Sequence, residues 1–229
     1  MTRPKEALIR NSTSTRLNHW FTAACFVLLT LSGLSMFHPV LFWMSVLFGG
    51  GQWTRAVHPW IGIALLISYT GLIAQFWRDN LWNRDDLAWT LAINRVLANE
   101  EESVPEVARF NAGQKFVFWS MALLIPVLFF TGLVIWEIYF SSYTSIETQR
   151  VALLTHSLAA IAAIIVWIIH VYAAIWVRGS MRAMTQGWVT PGWAWRHHRK
   201  WLRQLVATGS MGPRPRTVSS GPRGAGKHS

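Results

Sequence analysis

The fold class this sequence predicts is an all-α membrane protein, a bundle of four transmembrane helices, and three observations predict it. Uncharged apolar runs recur four times, at residues 17–37, 56–77, 116–136 and 151–177. At about 1.5 Å of rise per residue each is long enough to cross a hydrocarbon layer of about 30 Å. Charged residues make up 14% of the 229 and hydrophobic ones 52%, whereas a soluble domain usually places about a quarter of its residues in the charged class. Finally, the chain holds 15 tryptophans. Trp20, Trp53, Trp60, Trp77, Trp136 and Trp176 flank the apolar runs, where an aromatic belt meets the membrane surface.

Residues 1–16 are polar and basic, with Arg3, Lys5, Arg10 and Arg16. The first run resembles a signal peptide but is too long for its apolar region and lacks an A-x-A cleavage signal, so an uncleaved first span is expected. Residues 37–53, with Pro39 and Gly49 to Gly51, read as a short loop that dips into the interface. In the second run Pro59 falls in the first turn, where its missing N–H costs little. Residues 79–114 form a polar loop holding most of the acidic side chains, within which 89–99 has helical spacing suited to the membrane surface. The third run contains Pro126, a kink that neighbouring helices tolerate. Residues 137–149 are a short loop. Residues 179–208 are a basic segment, and 209–229, rich in Gly, Ser, Pro and Arg, are expected to be a disordered tail.

Four spans place both termini on one side. The N-terminus, the central loop and the tail hold nearly all the Lys and Arg, while the other two loops hold only Arg55 and Arg150. The positive-inside rule then puts both termini in the cytoplasm. It also accounts for the formal net charge of +11 through topology and lipid contact, so no nucleic-acid partner is expected. The single Cys25 leaves no disulfide, CxxC metal site or CxxCH attachment within the chain.

Histidine placement carries the chemistry. His156 and His170 are 14 residues apart in the fourth run, which brings them to within roughly 40° of one helix face and about 21 Å apart along it. With the predicted topology, His58 lies at the outer depth of His156, and His19 at the inner depth of His170. Ionisable groups inside a membrane are read as functional. Two neutral imidazoles from different helices at each level are what bis-imidazole ligation of a b-type haem needs, so two b haems are expected. Each of these histidines also has an ordinary reading as an interfacial or hydrogen-bonded side chain. Zinc is the rival metal but wants three or four grouped ligands. His38 also sits at the outer end of a span and is assigned an interfacial role; His197, His198 and His228 are expected in solvent. Gly33, Gly62, Gly71 and Gly132 either make room for porphyrin faces or allow close helix packing.

The segments Asn18-His-Trp20, Val57-His-Pro59, Arg109-Phe-Asn-Ala-Gly-Gln-Lys115, Leu154-Thr-His156, Ile169-His-Val-Tyr172 and Trp176-Val-Arg-Gly-Ser180 carry a resemblance. From about Arg16 to Trp201 the chain resembles the gamma subunits of membrane-bound formate dehydrogenases, cytochromes b of the b556 type. His38 and the residues beyond Leu205 lie outside it. The resemblance implies haem-iron ligation by His19, His58, His156 and His170 in the pairs above, and a quinone site on the cytoplasmic side at Asn111, Gly113 and Gln114, beside His170. It also implies an assembly in the bacterial inner membrane with an iron–sulfur subunit and a catalytic subunit carrying a molybdenum or tungsten pterin. Asn111 and Gln114 have a second reading as the cap and first turn of the third helix. Two alternative functions remain: a cytochrome b of a hydrogenase or of a thiosulfate or polysulfide reductase, and a haem-free membrane anchor.

Overall fold

The computed structural model describes residues 6–98, 100 and 104–209. Four helices in it are long and apolar enough to cross a membrane: α1 (Thr13–Phe37), α2 (Gly51–Phe76), α5 (Ala112–Val134) and α6 (Ile146–Trp176). Each starts about one turn before its apolar run, and in α1, α5 and α6 a polar cap sets the start. Ser12 accepts from the Thr15 N–H, Asn111 from that of Gln114, and Ser145 from that of Thr148, filling part of the orphan donor set of each first turn. Helix α1 packs on α2, α5 on α6 and α2 on α5, with a sparser contact between α1 and α6. The result is an up-down-up-down bundle with the start of α1 and the end of α6 at one end, here the terminal end.

The segment between α1 and α2 is not the loop expected. Residues Pro39–Phe48 form a 3-10 helix, opened by His38 and closed by Gly49 in the left-handed conformation, which glycine adopts without strain. Helix α2 therefore begins at Gly51, and Pro59 lies in its interior rather than its first turn. Since proline has no N–H, the Arg55 carbonyl receives no helical bond from position 59. His38 is exposed and accepts from the Val40 N–H at 3.2 Å, a capping role. Five of the six flanking tryptophans are exposed, but Trp136 is buried against Trp60, Tyr139 and Phe140.

Lipid tails are as apolar as leucine, so packing and interhelical hydrogen bonds hold such helices together. The mid-bundle core comprises Cys25, Phe26, Leu65, Tyr69, Leu72, Met121, Ile125, Ala163 and Val166. Two polar contacts fasten it. Ser68 Oγ donates to Asn18 Oδ1 at 2.6 Å across α1 and α2, and Tyr69 Oη donates to the Phe118 carbonyl at 2.7 Å across α2 and α5. Gly71 serves the first contact: a Cβ there would lie 3.3 Å from Asn18 Nδ2, so close packing, not porphyrin space, explains this glycine.

The remaining segments form a small unit at the terminal end. It contains α3 (Arg84–Leu91), α4 (Ile93–Leu97), α7 (Ser180–Thr185), α8 (Pro191–His197) and α9 (Arg199–Ala207). A two-stranded antiparallel ribbon, β1 (Leu8–Ile9) with β2 (Trp188–Val189), departs from the all-α expectation. The chain enters β2 through Gly187, with φ of +85° and the Asn11 carbonyl 2.8 Å from where a Cβ would stand. Leu8, Ala183, Val189, Trp193, Ala194 and Trp201 make its core. Exposed Leu87, Leu91, Ile93 and Leu97 suit α3 and α4 to a membrane surface, as the helical spacing there suggested. Of the expected tail, 210–229 lie outside the described residues, as do Glu101, Glu102 and His228.

His198 corrects the expectation of a solvated tail histidine, being 1% exposed. Its Nδ1 lies 2.9 Å from the Ala108 carbonyl and its Nε2 lies 3.3 Å from Arg10 Nη2. A carbonyl only accepts and a guanidinium only donates, so the ring carries its proton on Nδ1 and is neutral. Arg10 lies over the Trp193 and Trp201 rings at 5.0 and 4.9 Å and donates to the Arg109 carbonyl at 2.6 Å. Burial, then the neighbouring Arg109 charge, lowers its guanidinium to about 9. Burial, followed by the Arg10 charge, holds His198 well below 6.5, with the Ala108 bond opposing and His197 adding slightly. Below pH 6.5 the unfolded chain therefore binds a proton that the folded chain refuses, and stability falls as pH drops. The slope approaches about 1.4 kcal/mol per pH unit. Unfolding curves between pH 8 and 5 should show this loss, and His198→Gln should flatten it; an equal loss in both would assign it elsewhere.

Candidate functional site: two facing histidine pairs

The four histidines of the spans come together as two pairs, in the combinations that depth predicted. His58 of α2 faces His156 of α6 at the end away from the termini, with ring centroids 6.4 Å apart. His19 of α1 faces His170 of α6 near the terminal end, at 6.2 Å. Helix α6 supplies one ring to each level, about 21 Å apart along its axis, and the mid-bundle core fills the space between.

These spacings can be tested against a metal group held from both sides. An imidazole nitrogen binds a transition metal at about 2 Å and the ring centroid lies about 1 Å behind it, so two opposed ligands have centroids roughly 6 Å apart. Both pairs meet that. Among the described residues no three His, Cys, Asp or Glu side chains gather to hold a metal ion, so each level offers two protein ligands. That suits a planar macrocycle that brings its own equatorial nitrogens. The rings of the far pair lie against glycines, a Cβ on Gly33 standing 3.5 Å from His58 Cε1 and one on Gly132 3.4 Å from His156 Cε1, while a Cβ on Gly62 would meet nothing within 4 Å. At the near pair, His19 Nδ1 is buried with no hydrogen-bond partner among the described residues.

Two hydroxyls that the sequence reading missed address the far pair. Ser32 Oγ lies 2.7 Å from His58 Nδ1 and Thr131 Oγ1 lies 3.0 Å from His156 Nδ1. In sequence each is only a small polar residue in an apolar run, one position before Gly33 or Gly132. That Ser-Gly and Thr-Gly repetition was the available signal.

Asn111, Gly113 and Gln114 stand at the start of α5, at the terminal end. Asn111 Oδ1 accepts from the Gln114 N–H at 2.9 Å and Gln114 Oε1 accepts from the Asn111 N–H at 3.1 Å, a reciprocal capping box. Because both amide oxygens face the backbone, both NH2 groups are left to donate outward. Gly113 is exposed, and a Cβ on it would lie 3.6 Å from the Trp89 ring. Beneath them Lys115 Nζ bridges Asp86 Oδ2 at 2.7 Å, with both side chains 2% exposed, and donates to the Leu81 carbonyl at 2.9 Å. This buried pair ties α3 to α5 and was not foreseen.

Residues 10–187 match the model of the prokaryotic cytochrome b561 family. The chain is 40% identical over 204 residues to the formate dehydrogenase cytochrome b556(fdo) subunit of Escherichia coli K12, covering 89% of this chain and 96% of that one. It is 39% identical over 198 residues to the nitrate-inducible formate dehydrogenase cytochrome b556(Fdn) subunit of the same organism, covering 86% and 91%. Against the formate dehydrogenase cytochrome b556 subunit of Haemophilus influenzae it is 36% identical over 199 residues, covering 87% and 84%. With four membrane helices and this likeness along most of its length, the chain belongs to the prokaryotic cytochrome b561 family, as a b-haem-binding membrane protein similar to the cytochrome b556 subunits of formate dehydrogenase.

Proposed function

We propose that this chain is the membrane-anchoring cytochrome b subunit of a respiratory formate dehydrogenase, with two b haems, one between His58 and His156 and one between His19 and His170. The observation that carries the reading is the pair of facing imidazoles at each end of the bundle, 6.4 and 6.2 Å between centroids. A b haem held in this way supplies one-electron iron chemistry. The concentration of Lys and Arg toward the terminal end supports placing that end, with both termini, in the cytoplasm of a bacterium whose inner membrane the chain spans. The His58 and His156 level is then the outer one. It receives electrons from an iron–sulfur subunit, itself fed by a pterin enzyme that oxidises formate.

The protein's part at the inner level is to hold a quinone and supply hydrogen-bond donors. The NH2 groups of Asn111 and Gln114, oriented by their capping box, donate to quinone carbonyl oxygens, and Gly113 permits close approach of the ring. His170 brings the inner electron donor beside them. Quinone reduction takes two electrons and two protons, the protons coming from the cytoplasm at this exposed end. Because its curated relatives named above are formate dehydrogenase subunits, this assignment is favoured over a hydrogenase or sulfur-compound reductase cytochrome. Membranes lacking the chain should keep formate oxidation with an artificial dye and lose formate-dependent quinone reduction, restored by re-expression. Undiminished quinone reduction without the chain would overturn the reading.

A further inference from the structure

The two histidine levels differ in what stands behind the rings. Ser32 Oγ donates its one proton to the Leu28 carbonyl at 2.7 Å, and Thr131 Oγ1 donates its own to the Val127 carbonyl at 2.6 Å, each four residues back on the same helix. A hydroxyl has a single proton. With that proton committed to the backbone, each oxygen can only accept from the histidine it touches, at 2.7 and 3.0 Å. His58 and His156 are therefore the Nδ1–H tautomer, with Nε2 free to bind a metal. At the other level His19 Nδ1 is buried without a partner among the described residues. One pair has a hydroxyl acceptor behind each ring, and the other lacks this arrangement.

We propose that Ser32 and Thr131 are positioning residues that fix the tautomer of the outer ligands and set the outer haem at a lower reduction potential than the inner one. This rests on the dihaem reading above. A ring N–H that donates to an acceptor makes the opposite nitrogen a stronger electron donor, the same effect that second-shell acceptors exert on metal-bound histidines. Stronger donation favours the oxidised iron. An electron entering at the His58 and His156 level then leaves downhill toward His19 and His170, a one-electron oxidation of the first site matched by a one-electron reduction of the second. Direction is thus built into two side chains that touch neither iron nor quinone.

The test is a potentiometric titration of the purified full-length chain, following the haem absorbance, with the outer haem identified by its survival in His170→Ala. In Ser32→Ala/Thr131→Val the outer midpoint should move positive while the inner one stays. The reduced-to-oxidised ratio of the outer haem at fixed potential should rise about tenfold, which is 59 mV for one electron. Thr131→Val alone, which keeps the side-chain shape, should shift it in the same direction by less, and Thr131→Ser should return it to the wild-type value. Two haems with both midpoints unmoved in the double variant would overturn this inference and leave the dihaem reading intact. A wild-type chain without paired b haems would instead remove the reading beneath it.

Discussion

His170→Ala should halve the b-haem content and abolish quinone reduction, while the remaining haem is still reduced by formate through the partner subunits. The reason is geometric. His170 is the α6 imidazole at the near level, with His19 at 6.2 Å, whereas His156 faces His58 at 6.4 Å about 21 Å away along the same helix. Removing one ring of the near pair leaves His19 without an opposed imidazole, and on the proposed reading it takes the inner haem away from the quinone site at Asn111 and Gln114. The far pair keeps both rings, both hydroxyl partners and the glycines beside them. Pyridine haem quantitation with a formate-reduced spectrum reads both halves of the result. Unchanged haem content would place the inner ligand elsewhere. His38→Ala is the control: that side chain caps the 3-10 helix, so haem content should stay at the wild-type level.

Lys115→Ala should destabilise the protein by about 3–5 kcal/mol, the usual cost of leaving one charge of a buried pair alone. Asp86 is 2% exposed, and its carboxylate has Lys115 Nζ at 2.7 Å and the Asn83 N–H at 2.7 Å as partners. After truncation only the N–H remains. The loss should appear as a lowered temperature for loss of haem absorbance in detergent, together with loosening of α3 from the start of α5. Replacing both partners by apolar residues of similar size, Asp86→Leu with Lys115→Met, should recover most of it, because the penalty comes from the orphaned charge rather than from a missing attraction. A single variant within about 1 kcal/mol of wild type would mean that water reaches the carboxylate.

Sequence made the membrane part legible because period and length are strong signals there. Four uncharged runs, three of them bearing histidines that fall at two matched depths, were enough to place His19, His58, His156 and His170 in their pairs. The details that failed were those set by single residues at helix starts. Helix α2 begins at Gly51 because Gly49 and Gly50, with φ of +86° and +100°, end one helix and allow the next to begin, which moved Pro59 inward. His198 read as solvated because its place in a basic segment is visible in a sequence and its packing partners are not. Arg10 lies between Trp193 and Trp201 and contacts His198, contacts separated by more than 180 positions. The Ser32 and Thr131 contacts were hidden for a related reason: a helical hydroxyl usually bonds back to its own helix, and only the neighbouring ring shows that its oxygen has a second use.

The central claim is that each pair of opposed imidazoles holds one haem. It is tested most directly by measuring haem b per polypeptide in the purified chain from cells well supplied with iron and haem precursors. Two b haems per chain, resolved as two one-electron steps, is the predicted result. A colourless chain, or one that binds a single haem lost only when His38 is replaced, would contradict it.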